Sequence, residues 1–194
     1  KQFDTIVRNL ALLTRDGIKF TISFVLSLNN LPYIHGMIRF ARKVSPSCVY
    51  FHNINPHGSK DYEPLTINQD VIHVMSDVMG ISDYPFDMVL PVVFDSKSRL
   101  FKTAKCDQPW GACYFDDKGD IAYCCHLRHN RVNGNIFDGY DFNSESIRSF
   151  RNQMVAGGYS EDCLYCERRF AGREYSRFVR ASGKWRINES LKNK

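Results

Sequence analysis

Ile18-Lys19-Phe20-Thr21-Ile22-Ser23-Phe24-Val25-Leu26 is dense in β-branched and aromatic residues and reads as a buried β-strand. Before it, Phe3, Ile6, Val7, Leu10 and Leu13 recur at helical spacing, so residues 2–16 form one apolar stripe that Gly17 stops. After it, Asn29-Asn30 and Pro32 open a second helix with Ile34, Met37, Ile38, Ala41 and Val44 on one side, closed by Ser45-Pro46. Cys48 to Asn53 is a second strand, running into the polar loop Asn55-Pro56-His57-Gly58-Ser59. Thr66 and Gln69 make a capping box, which predicts a helix to about Gly80, and Met88 to Phe94 is a third strand. Helix–strand alternation with short links implies parallel strands and crossover helices. The expected fold is α/β, an open layer or part of a (β/α) barrel.

The pattern changes between residues 95 and 105, where alternation stops and cysteines begin. Trp110–Phe115 and Asp120–Tyr123 flank Asp116-Asp117-Lys118-Gly119, a hairpin signal with glycine at the turn. Gly134-Asn135-Ile136 is a further turn. Asn143 or Ser144 then caps a helix carrying Ile147, Phe150, Met154 and Val155, which stops at Gly157-Gly158. Three segments are expected: an α/β part over 1–100, a small cysteine-rich α+β domain over 101–170, and a basic tail over 171–194.

A chain of 194 residues with 24% charged and 43% hydrophobic side chains is long enough to bury a core without staples. No apolar run approaches a membrane span, and Lys1-Gln2-Phe3-Asp4 does not begin a secretory signal. The missing initiator Met leads to the expectation that the chain starts inside a longer protein. Of the net +5, residues 167–194 supply nine Lys/Arg against three Glu, which leaves the remainder near neutral. Such a balance argues against a protein that coats nucleic acid along its whole surface. The tail, with Arg168, Arg169, Arg173, Arg177, Arg180, Lys184 and Arg186, reads as a solvated helix packed back through Phe170, Phe178 and Trp185; the sharper reading is contact with an anionic substrate or RNA.

Six of the seven cysteines, Cys106, Cys113, Cys124, Cys125, Cys163 and Cys166, fall in the second segment, and Cys48 stands apart. An odd count without a secretory signal reads as a thiolate metal site in a reducing compartment such as the cytoplasm. One tight turn aims Cys163 and Cys166 at a common centre. Neighbours on a strand point to opposite faces, so only one of Cys124 and Cys125 joins them. The simplest set is Cys106, Cys124 or Cys125, Cys163 and Cys166, with Cys113 packed as a small hydrophobe. Spacing alone does not separate an iron–sulfur cluster from zinc. His126 or His129 replacing a thiolate is the lesser option.

Cys106-Asp-Gln-Pro-Trp110, Asp117-Lys-Gly119-Asp-Ile, Cys124-Cys125, Gly134-Asn135, Ser149-Phe-Arg151 and Cys163-x-x-Cys166 together resemble the SPASM/twitch auxiliary-cluster domain of radical S-adenosylmethionine enzymes. Residues 1–95 are similar to the second half of those enzymes' partial barrel, notably Gly17-Ile18-Lys-Phe-Thr-Ile-Ser23 and Tyr50-Phe-His-Asn53-Ile-Asn-Pro56-His-Gly58. The resemblance implies one auxiliary [4Fe–4S] cluster on Cys106, Cys124, Cys163 and Cys166. It also suggests Ser23 as a contact to S-adenosylmethionine, the alternative being a strand serine satisfied by backbone. Asn53, Asn55 and His57, at the C-terminal end of a strand, are candidates for contact with cofactor or substrate, the alternative being an Asn-rich turn. The position six after Cys166 is Gly172, so a second auxiliary cluster is not implied.

One departure limits the inference. The family's Cys-x3-Cys-x2-Cys motif is absent, because no two of these cysteines have three residues between them. The chain therefore resembles a C-terminal half that does not cleave S-adenosylmethionine alone. Its expected partners are the N-terminal half of a parent chain, reduced ferredoxin or flavodoxin as electron donor, and a peptide or small-molecule substrate, with no membrane. The alternative is a zinc-stabilised interaction module without catalysis, meeting RNA through the basic tail.

Overall fold

The structure is a computed structural model that describes residues 2–56, 59, 61–81, 83–94, 106–124, 134–159, 163–170, 178–181 and 184–187. It divides into two compact units. The first comprises Lys1–Ile54, Asp61–Ser96 and Gly172–Lys194; the second comprises Asn55–Lys60 and Lys97–Ala171.

In the first unit, α1 (Gln2–Arg15) leads through Gly17, at φ +67°, into β1 (Thr21–Leu26). A 3-10 turn at Leu31–Tyr33 starts α2 (Ile34–Val44), which Ser45 ends in the left-handed region at φ 53°. Then come β2 (Cys48–Asn53), α3 (Gln69–Gly80) and β3 (Asp87–Val89). β1, β2 and β3 are parallel neighbours, with Thr21 opposite Cys48 and Cys48 opposite Asp87. The expected alternation is thus present as an α/β layer, in which β3, at three residues, is half the length of β1 and β2.

Two sequence expectations are corrected here. The cap of α3 is Asn68, whose side chain accepts the Val71 N–H at 2.9 Å, while Thr66 forms a β-bridge with Phe94. Asn outranks Thr at this position because its short carbonyl reaches the orphan amide more readily. Among its described residues, the tail beyond residue 171 is strand where the sequence predicts a helix. Its backbone makes the hairpin β6 (Phe178–Ala181) and β7 (Lys184–Ile187), and β6 pairs antiparallel with β3. The sheet order is therefore β1-β2-β3-β6-β7. The tail's Val179, Trp185 and Ile187 suit a strand, and Ser182-Gly183 suits a turn, so local propensity was legible behind the charge.

The core lies on one face of the sheet. Ile34, Ile38, Ala41 and Val44 line α2, and Val71, Met75 and Val78 line α3; both stripes meet Leu26, Val49, Phe51 and Met88. Each large side chain buried there stabilises the fold by about 1.5–3 kcal/mol before chain entropy is charged against it. On the opposite face Thr21, Ser23 and Val25 are exposed and Cys48, Tyr50 and His52 are half-buried. α1 buries none of its residues and touches α2 through Phe3 and Phe40, rings 5.6 Å apart.

The second unit has a different plan. A helical turn, α4 (Gln108–Gly111), precedes a hairpin of β4 (Tyr114–Phe115) and β5 (Ile121–Ala122). Gly119 sits in its turn at φ +84°, and a Cβ there would lie 2.6 Å from the Phe137 ring. Asn135 bridges to Asp120 and bonds the Asp120 carboxylate and the Lys118 carbonyl, which adds residues 134–136 to the hairpin. A 3-10 turn at Ile136–Asp138 leads to α5 (Glu145–Val155), and a last turn, α6 (Glu167–Phe170), follows the cysteine pair. Ile147, Phe150 and Met154 of α5 bury against Ile121 and Tyr123.

Candidate metal centre

The pair Cys163 and Cys166 lies in a tight turn, with the Cys166 N–H 3.5 Å from the Cys163 carbonyl. Both are buried, at 9% and 5% exposure. The chain continues directly into α6, whose Arg169 N–H bonds the Cys166 carbonyl at 3.0 Å. That places Arg169 one turn beyond the pair, and its guanidinium folds back to the Cys163 carbonyl at 3.4 Å. Arg169 is 4% exposed, with its charge carried 4.2 Å from the centre of the Tyr159 ring.

Tyr159 links this turn to a distant segment. Its hydroxyl accepts the Cys106 N–H at 3.2 Å, so Cys106, 53 residues earlier, is held beside Tyr159. Burial pushes the Cys106 thiol above its ordinary range; Cys163 and Asp107 add to the rise, while a Gln108 N–H and Arg169 oppose it. Burial likewise lowers the Arg169 pKa, and Tyr159, Cys163, Cys106 and Cys166 act in the other direction. Burial also raises Tyr159, against the Cys106 N–H and the guanidinium. Tyr159 therefore ties the Cys106 backbone to the buried cation that bonds the Cys163 carbonyl.

Cys124 is half-buried and packs, with Cys106 and Cys113, against the small core of Ile121, Tyr123, Ile147, Phe150 and Met154. Cys113 is raised by burial alone, in keeping with a packed thiol. Cys48 belongs to β2 of the other unit, where burial and then Asp87 raise it. Cys125, His126 and His129 lie outside the described residues. Among the described residues no three His, Cys, Asp or Glu side chains are grouped closely enough to hold a metal ion as they stand. By chemistry the donor set fits a soft, thiolate-bound centre; binding would have to draw the sulfurs together.

The residues expected to touch S-adenosylmethionine are not alike. Ser23 stands on the exposed face of β1 with Thr21 and Val25. Asn53 is 5% exposed and serves the core: its amide donates to the Leu65 and Val92 carbonyls and accepts the Leu65 N–H, each at 2.8 Å. The structure thus employs Asn53 as a staple between β2 and two following segments, with both amide hydrogens engaged. Asn55 is half-buried in the loop after β2, and His57 lies outside the described residues.

Two residues of the centre escaped the sequence reading. Arg169 counted only as one charge of a basic tail, although its position three after Cys166 was a signal that it lies one helical turn from the pair. Tyr159 had no signal at all, because its role depends on meeting Cys106 in space. No family model, curated protein or solved structure matches this chain.

Proposed function

We propose that this chain is the C-terminal region of a radical S-adenosylmethionine enzyme, in which Cys106, Cys124, Cys163 and Cys166 hold one auxiliary [4Fe–4S] cluster. The observation that supports the reading is that Tyr159 joins the Cys106 backbone, through its hydroxyl, to buried Arg169, which bonds the Cys163 carbonyl. The cluster would supply one-electron relay or substrate positioning. The thiols hold it, the Tyr159–Arg169 contact fixes their backbone, and the apolar side chains of α5 keep water from one side. In this reading the α/β layer is the second half of a partial barrel whose first half belongs to the parent chain. S-adenosylmethionine would bind there, with Ser23 among its contacts from this chain. Reduced ferredoxin or flavodoxin is the electron donor, in the cytoplasm, and the substrate is a peptide or small molecule. No helix among the described residues is long and apolar enough to cross a membrane.

Anaerobic reconstitution with ferrous iron and sulfide, followed by metal and sulfide analysis, tests the proposal. Four irons and four sulfides per chain are expected. Loss of both in Cys106→Ser, Cys163→Ser and Cys166→Ser is expected as well, with Cys113→Ser retaining them. A single zinc without sulfide would identify the non-catalytic interaction module instead. Retention of the cluster in Cys124→Ser would move the fourth ligand to another residue.

A further inference from the structure

We draw no further inference here: the strongest candidate, the end strand β1 of the five-stranded sheet with Thr21, Ser23 and Val25 exposed along it, belongs to the barrel surface already described, and nothing in the structure shows what covers it.

Discussion

In the α/β unit fifteen described residues form one buried apolar cluster, whereas the corresponding cluster of the cysteine-rich unit has five. The first is built from helical stripes laid on parallel strands, so its stability scales with apolar area removed from water. The second is built from two-residue strands, single helical turns and side-chain links such as Asn135 to Asp120 and Tyr159 to Cys106. So small an apolar core leaves a domain dependent on other cross-links, and thiolate–metal bonds are the usual ones where disulfides do not form. The comparison teaches where to look for chemistry. Among the described residues, the unit with the smaller buried apolar cluster is the one that concentrates cysteines.

Truncating matched core residues is the strongest way to break that comparison. Phe51→Ala, at a 1% exposed ring stacked 5.4 Å from Phe24, is expected to cost about 3–5 kcal/mol, read as a lower urea midpoint and lost amide protection in β1 and β2. Ile147→Ala is expected to cost about 2–5 kcal/mol, with protection lost in α5 and the hairpin instead. Iron and sulfide should restore much of the second loss and none of the first. Equal restoration in both would mean that the two interiors are not held by different means.

A polar staple inside the apolar unit sharpens the contrast. Asn53→Ala strands the Leu65 N–H and removes one donor from each of the Leu65 and Val92 carbonyls, the Leu65 carbonyl keeping the Phe94 N–H at 3.1 Å, at a cost of about 1–3 kcal/mol on chemical denaturation. A change below 1 kcal/mol, on the scale of an ordinary exposed substitution, would make Asn53 dispensable to the core and available for a ligand.

A smaller effect is expected from pH. Burial, together with its bond to the Tyr123 hydroxyl at 2.6 Å, pushes the Tyr140 pKa up to about 12. The folded state therefore holds the phenol proton more tightly than the unfolded chain, whose tyrosine titrates near 10. That contribution is fully present below about pH 10 and is lost as pH rises towards about 12. Near-ultraviolet circular dichroism should show the loss in the wild type, and Tyr140→Phe should lack this component. The smallest effect is Arg42→Ala. Its ion pair with Asp83, at 2.9 Å, is exposed on the acidic side, so about 0.5 kcal/mol or less is expected by thermal melting.

The two halves also differ in how far they can be read from sequence. Periodicity located α1, α2, α5 and the order of parallel strands, because a 3.6-residue stripe or an alternating run states which face is buried. It misjudged the cap of α3, since Asn68 and Thr66 are both good caps and only the bridge to Phe94 takes Thr66 away. It read the tail as a helix because seven basic residues masked an alternating strand, whose partner β3 lies about ninety residues earlier. Asn53 looked like a ligand contact for a similar reason: asparagine at a strand end suits a site as well as a staple.

By itself, the sequence determined the α/β order, the position of the cysteine-rich segment, the hairpin at Gly119 and the Cys163-x-x-Cys166 turn. All of these depend on residues near one another in the chain. Tertiary structure alone decided that Cys106 is tied to Tyr159, that Arg169 is buried against Tyr159 and the cysteine pair, that Asn53 faces inward and that the tail completes the sheet. Those outcomes depend on segments meeting across tens of residues, where burial and charge act through space and leave no local pattern to read.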